Sequence, residues 1–502
     1  MPQRVPAWSL LGLLLAASPV SATTRTYPST PPCSTTLQAC LDGAGDGDRI
    51  EIVTTAPISE NMTIRKSLTV TGAPGVTPLI GGTPTGGGFL IAGKSEGPSV
   101  IRLEGLTISN GSVRVRLSGS PGGDQVTIQR CSISNTFVGF AVLVDPPVPA
   151  DVRLLDNLLA SGGYVVDTLM AQPSGTVHLT IAGNHMTAST PGYQGLQLDM
   201  RGGGQTVVDV ASNVIHDVAQ SAIVMYTIDT VAATVNVVNN TLDRARAGVE
   251  VSSLEVGTTL ALNLFNNIVT HTTGPGVTFP VSARLSVTSG FNDLFAIGAA
   301  NVLNGFSLGM PLFGIDPIYA DANSADYHLK GTSTLINVGT MTPPGGLPEL
   351  DADGNLRVAN GIVDIGAFEF GSMPPTTTTT TVVTSSTTTT TLACTAEATV
   401  ASVSCRLDTL IADIGAQVPA GKLHDKLLAQ LATAEAALQD GSATTSKGSR
   451  KRAFKRVVRA LAGARARLNT KLAKTLDAAL RGTVGERLVA LRGDTKALGK
   501  SS

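Results

Sequence analysis

The chain has 502 residues and a formal net charge of −1, with 54 Gly, 15% charged residues and 42% hydrophobic residues. That length exceeds one ordinary compact domain, and the composition excludes a disordered or collagen-like chain. The near-zero charge hides a split: residues 394–502 hold 19 Lys and Arg against 9 Asp and Glu, while residues 23–393 hold 16 against 28. An acidic body therefore carries a basic tail.

The chain starts "MPQRVPAWSLLGLLLAASPVSATT". Arg4 supplies a positive end, residues 8–17 an apolar stretch, and Val20, Ser21 and Ala22 a small-residue cleavage site. We read residues 1–22 as a secretory signal peptide. The run is too short for a membrane anchor, and no later apolar run is long enough to span a bilayer. Export permits disulfides. Of the five cysteines, Cys33–Cys40 and Cys394–Cys405 are close enough in sequence to staple local loops, which leaves Cys131 over.

A repeat then dominates: "VTIQRCSI", "VRLLDNLL", "LTIAGNHM", "VDVASNVI", "VNVVNNTL" and "LNLFNNIV". Each reads apolar-x-apolar-x-x-Asn-x-apolar, with Cys131 in the Asn place of the first. The others place Asn157, Asn184, Asn213, Asn240 and Asn267 there, at spacings of 26, 27, 29, 27 and 27 residues. The internal period of two predicts a strand, and turn residues follow it. A second short strand follows each Asn, and a third appears as "GLQLDM", "AIVMYT", "GVEVSS" and "GVTFPV". Three strands per repeat of this length describe one coil of a right-handed parallel β-helix. "MTIRKSLTVTG" and "VIRLEGLTISNGS" read as its first coils.

Coils stack at the ~4.8 Å spacing of paired strands, so equivalent Asn side chains can hydrogen-bond amide to amide. The five Asn are therefore expected to form a structural ladder, with Asn239 a turn residue. Cys131 falls in the same inward column and is expected to be a buried free thiol.

This repeat resembles the right-handed parallel β-helix proteins of the pectin lyase-like superfamily. "LQACLDGAGDGDRIEIV" with "ISENMTIRKSLTVTGA" resembles their opening segment, which covers the N-terminal end of the coil. "ADYHLKGTSTLINVGT" and "DADGNLRVANGIVDIGAFEF" resemble the closing segment of secreted bacterial β-helix proteins with a choice-of-anchor type ending. The resemblance covers roughly residues 33–370. It implies an all-β solenoid but no single activity, because the superfamily contains lyases, hydrolases and proteins with no assigned reaction. The polygalacturonase motifs Asn-Thr-Asp, Gly-His-Gly and Arg-Ile-Lys are missing here, as is the Trp-Ile-Asp-His pattern of pectate lyases.

Two outward columns carry candidate chemistry. Thr187, His216, Asp243 and Thr270 follow their ladder Asn by three residues and should stack on the outer face; Asp217, Arg244 and His271 come one residue later. His216, Asp243 and Arg244 are the candidate catalytic set, since proton abstraction beside a neutralising cation suits β-elimination of a uronate polymer. The alternative is a solvated sheet face. The third strand offers Asp167, Gln197 and Glu250 in one column, with Asp199, Arg201 and Tyr226 nearby. Gln197, Asp199, Arg201, Tyr226 and Glu250 suit a shallow carbohydrate-binding face. Neighbouring carboxylates there can hold Ca²⁺, the one cofactor the sequence leaves open. "DADGN" at residues 351–355 fails the EF-hand template and reads as a turn, with Arg357 pairing Asp364 or Glu369.

"SMPPTTTTTTVVTSSTTTTTL" is a low-complexity linker. Beyond it the period turns helical, with Leu423, Leu427, Leu431 and Leu438 on one stripe and Phe454, Val457, Leu461 and Leu468 on another. We expect a small all-α bundle of about four helices. Lys447, Arg450, Lys451, Arg452, Lys455, Arg456 and Arg459 form a basic run suited to an anionic surface. Nucleic acid is a poor partner for it, because no aromatics interleave.

The expected organisation is a signal peptide at 1–22, an opening cap at 23–62, a β-helix with its closing segment at 63–370, a linker at 371–393 and a basic helical domain at 394–502. The expected protein is secreted or at the cell surface and binds extracellular or envelope polysaccharide without catalysis, its tail attaching to an anionic surface. A polysaccharide lyase or glycoside hydrolase is the alternative, and a structural spacer the second.

Overall fold

The structure is a computed structural model. It describes residues 22–81, 87–117, 123–135, 140–145, 149–172, 175–188, 193–359 and 361–375, then 403, 406–407, 410–411, 414, 422–443, 447–468 and 478–501. Residues 1–21 of the expected signal peptide, 376–393 of the linker, Cys394 and Cys405 lie outside the described residues. The chain divides into two units, Met1–Thr378 and Thr379–Ser502.

The first unit is a parallel β-solenoid of about nine turns. Among the described residues its strands form three sheets of 11, 10 and 9 strands. One coil shows the plan: Ala232–Val238 in the first sheet, Thr241–Asp243 in the second, Ala247–Leu254 in the third. Alternate residues point inward and stack coil upon coil. One inward column runs Ile133, Leu159, Met186, Ile215, Leu242, Val269, and all six are at most 2% exposed. The aliphatic repeat thus makes a continuous core that no single coil could bury alone.

The tight corner between first and second sheets needs a left-handed residue. Asp156, Gly183, Ser212, Asn239 and Asn266 supply it, with φ of 54, 67, 53, 56 and 57°. The ladder Asn comes one residue later. Each Asn carboxamide oxygen accepts from the amide of the preceding rung, at 2.9 Å for Asn157 to Asn184 and 3.0 Å for Asn184 to Asn213, Asn213 to Asn240 and Asn240 to Asn267. The second amide hydrogen of each goes to a strand carbonyl, as from Asn240 to Val210 at 2.8 Å. The ladder has one rung more than the sequence reading found, since Asn267 donates to Asn292 at 3.0 Å. Ser289 hid it by standing where the repeat asks for an apolar residue. At the other end Cys131 gives its backbone N–H to Asn157 Oδ1 at 2.9 Å. Its free thiol is buried, and burial pushes it up to about 11.

At the N-terminal end helix α1, Leu37–Gly43, buries Leu37, Cys40 and Leu41. Cys40 is disulfide-bonded to Cys33. The Glu60 carboxylate accepts the N–H groups of Leu37 and Gln38, both at 3.0 Å, where the helix leaves them unpaired.

The closing segment does not end on the last coil. It turns back along the side of the solenoid and lies over the second sheet. Asn239 donates to the Asp364 carbonyl at 2.8 Å, Thr241 Oγ1 accepts from Ala367 N at 2.9 Å, and Ser212 donates to the Leu350 carbonyl at 3.0 Å. Its centre is Arg357, whose guanidinium is buried and bonded to the Gly366 and Ala367 carbonyls and to Glu369 at 3.1 Å. "DADGN" is a turn, as its Asp351 Oδ1 accepts from Asp353 N and Asn355 N. An outer column of Val214, Thr241 and Ile268 is thereby covered, and Asp293 continues it.

Asp293 is fully buried; Ile315 N bonds one carboxyl oxygen at 3.0 Å, and the other has no partner among the described residues. Burial pushes its pKa up to about 7. A raised carboxyl favours the protonated folded state, so its contribution is present below about pH 4 and is lost as pH rises toward 7. Asp293→Asn is expected to raise stability by about 2 kcal/mol at pH 8 and to change little at pH 5, part of the gain being offset by a buried amide without a partner. Urea unfolding at the two pH values checks this, and equal effects at both would refute the assignment.

In the second unit, α2 (Lys422–Ala443), α3 (Lys447–Leu468) and α4 (Ala478–Ser501) share an apolar core. Its members include Leu427, Leu431, Phe454, Val457, Leu461 and Leu488. Among the described residues no helix is long and apolar enough to cross a membrane.

Candidate functional site

The second-sheet column has the expected register, Thr187 beside His216 beside Asp243 beside Thr270. It is not a solvated face. Asp243 is fully buried. Its Oδ1 accepts from Thr270 Oγ1 at 2.6 Å and from His271 Nδ1 at 2.8 Å. Its Oδ2 accepts from Arg244 Nη1 at 2.7 Å and from Tyr327 Oη at 2.9 Å. Tyr327 belongs to an antiparallel hairpin of the closing segment, Tyr319–Asp321 with Asp326–Leu329. The repeat placed Asp243 and Arg244 on an outer face, as a catalytic set or a solvated surface, and nothing periodic announces the hairpin that covers Asp243.

Arg244 also clamps Asp217 through Nε at 2.6 Å and Nη2 at 2.7 Å, and His216 Nδ1 meets Asp217 at 2.7 Å. The guanidinium holds Asp217 down to about 2. Asp217, Arg244 and His271 all take left-handed backbone, φ 53, 49 and 48°, at the corner after the second sheet. That shared turn stacks their side chains. His216, Asp243 and Arg244 are therefore brought together, but both oxygens of Asp243 are saturated and the hairpin covers it. Geometrically the set fastens the closing segment to the solenoid. A base must reach a substrate proton, and Asp243 has no open approach.

The third sheet is different. Its register aligns Asp167, Gln197, Val224, Glu250 in one column and Leu169, Asp199, Tyr226 in the next. Gln197 donates to Asp167 at 3.0 Å. Arg201 binds Asp199 through Nε at 2.8 Å and again through Nη2. Tyr226 stands at a β-bulge, where the register with the next strand slips; bulges re-aim a side chain. Two tyrosines that the sequence reading passed over complete the face. Tyr164 and Tyr193 meet edge to face with ring centroids 5.3 Å apart. Tyr226 and Asp167 are near enough that, after burial, their charges raise the Tyr164 phenol. Burial also pushes Asp167 up to about 6. The recurrence of Tyr164, Tyr193 and Tyr226 at about one per coil was the available signal. It was missed because the three do not share one position in the repeat.

Glu250 belongs elsewhere. It is bound by Ser221 and Arg246, and Arg246 also donates to Gln220 at 2.9 Å. Val224 separates it from Gln197 in the column. The tyrosine face thus gathers Gln197, Asp199, Arg201 and Tyr226 with Asp167, Tyr164 and Tyr193, and leaves Glu250 out.

Among the described residues no group of three or more His, Cys, Asp or Glu is arranged to hold a metal ion. Helix α3 contains nine Lys and Arg and no Asp or Glu between Lys447 and Leu468. Lys447, Lys451, Arg452, Lys455, Arg456 and Arg459 are exposed, whereas Phe454, Val457 and Leu461 are buried in the bundle.

No protein-family model matches the chain, and a search of curated proteins finds no relative.

Proposed function

We propose that this β-solenoid is a secreted or surface protein that binds polysaccharide through the tyrosine face of its third sheet, without cleaving it. The Tyr164–Tyr193 ring pair beside Asp167–Gln197 and Asp199–Arg201 carries the reading. Aromatic faces stack on the apolar side of a sugar ring, and planar carboxylate, amide and guanidinium groups take its hydroxyls. The closed state of Asp243 favours binding over the lyase or hydrolase alternative. Secretion is supported by the leader-like N-terminus and by the Cys33–Cys40 disulfide, which an oxidising compartment sustains. The basic face of α3 suits attachment to an anionic envelope surface. Its apolar stripe is already used inside the bundle, so charge alone would hold it.

A panel of neutral and uronate-containing polysaccharides tests this. The protein is expected to be retained on at least one affinity gel and to yield neither unsaturated product nor reducing ends. Tyr193→Ala should weaken retention about tenfold, roughly the 1–1.5 kcal/mol a ring contact supplies. Product formation that disappears in His216→Ala would replace this reading with a lyase or hydrolase.

A further inference from the structure

A concave surface lies at the corner between the first and second sheets, apart from the third-sheet tyrosine face. Two adjoining cavities of about 360 and 500 Å³ share Asp156, Gly183 and Leu350. They form one groove between the left-handed corner of the solenoid and residues 345–354 of the closing segment. Along the solenoid the groove runs from Arg130 to Val238. Those residues stand on five successive first-sheet turns, hence about 19 Å at the strand spacing. That is room for several linked rings. Leu158, Leu347, Pro348 and Leu350 give it apolar walls.

Its polar groups are unusual for this molecule. The other solenoid imidazoles each hold a carboxylate: His178 with Asp209, His216 with Asp217, His271 with Asp243, and His328 with both Asp326 and Asp353. His185 lines the groove, and no hydrogen bond is made by its ring nitrogens among the described residues. Burial lowers its pKa, which keeps it neutral near pH 7 with one donor and one acceptor nitrogen. The Asp156 carboxylate has no hydrogen-bond partner among the described residues, and it is seated over Gly183, where a Cβ would come within 2.3 Å of its Oδ1. Glu349, exposed at the rim, makes no ion pair among the described residues. Arg130, whose charge reaches Asp156, is itself paired with Glu104. The groove therefore presents unused acceptors and excess negative charge between apolar walls.

We propose that this groove binds an oligosaccharide of cationic amino sugars. The ring faces would lie against the leucines, and a protonated amine would meet Asp156, with Glu349 adding attraction at the rim. Ring hydroxyls would meet both nitrogens of His185. A uronate chain would be repelled by the same carboxylates.

The test is calorimetric titration of the full chain at pH 6.5 with a fully deacetylated glucosamine oligomer, and with its N-acetylated counterpart. Binding is expected for the deacetylated oligomer, weakening as salt is added. The acetylated form should bind at least about tenfold more weakly. Asp156→Asn and Glu349→Gln should each reduce affinity, Asp156→Asn by about tenfold, and Tyr193→Ala should leave it unchanged. Glu349 is exposed, so its variant is not at risk of misfolding. No binding of the deacetylated oligomer, equal binding of both forms, or unchanged affinity in both carboxylate variants overturns the proposal. Loss in Tyr193→Ala instead moves the amine-binding site to the tyrosine face and overturns it too.

Discussion

Asn240→Asp is expected to cost the solenoid about 4 kcal/mol at pH 8. Asn240 stands in mid-ladder, fully buried, and does two things at once. Its carbonyl oxygen accepts from the Asn213 amide at 3.0 Å and from the Asn213 backbone N–H, also at 3.0 Å. Its amide nitrogen donates to Asn267 Oδ1 at 3.0 Å and to the Val210 carbonyl at 2.8 Å. Aspartate keeps the first role and loses the second. Two buried oxygens would then face a third, and each unmet group costs about 1–3 kcal/mol. The cost is relieved if the new carboxyl takes a proton, since one donation returns. Its folded pKa must therefore rise above the unfolded value. Stability is then greatest below about pH 4 and falls as pH climbs toward the raised value. The variant should lose roughly half as much at pH 5 as at pH 8. Tyrosine emission during urea unfolding is a clean probe, because all six tyrosines precede the linker and the single Trp, Trp8, lies in the leader-like stretch. An Asp variant as stable as the parent at pH 8 would show that the ladder holds nothing together.

Arg357→Met should release the closing segment at a cost of about 3–5 kcal/mol, the penalty for stripping a buried ion of its partner. Glu369 would keep its backbone bonds from Ala359 N and Asp364 N at 3.0 Å but lose the guanidinium, with Asp351 and Asp364 close by. The damage should stay local. Hydrogen exchange is expected to quicken at Gly366 and Ala367, whose N–H groups bond the Asn266 carbonyl and Thr241 Oγ1, while inward strands keep their protection. Adding Glu369→Gln should recover about half of the loss, because the orphaned charge goes with it. Burial already pushes Asp364 up to about 6, so this segment is firmest when Asp364 is protonated and loosens as pH rises from about 4 to 6. If exchange rises uniformly through the solenoid, the closing segment is not a separate fastening.

These two variants probe the two ways this chain holds its shape, and they differ in how visible they were beforehand. The ladder was legible because it repeats: five asparagines at near-constant spacing, each behind the same apolar alternation, admit few arrangements besides stacked coils. Asn292 escaped only where Ser289 interrupted the pattern. The closing segment does not repeat. "DADGNLRVANGIVDIGAFEF" announces its own turn and a partner for Arg357 in Asp364 or Glu369, all within twenty residues, and the structure selects Glu369. Its docking site lies more than one hundred residues back in sequence, as Ala367 on Thr241 shows.

The candidate sites follow the same division. Periodicity put His216, Asp243 and Arg244 in adjacent columns, because registers are set by a fixed coil length. Whether that face met water or protein was decided by Tyr327, which comes from another part of the chain. The amino-acid sequence by itself determined the coil, its inward aliphatic columns and its asparagine ladder, since these rest on interactions between equivalent positions of neighbouring repeats. Only the tertiary structure decided which outer columns are closed, which tyrosines gather on the third sheet, and that His185 and Asp156 are left facing a groove. Those outcomes depend on contacts between segments distant in sequence, where no period constrains the partner.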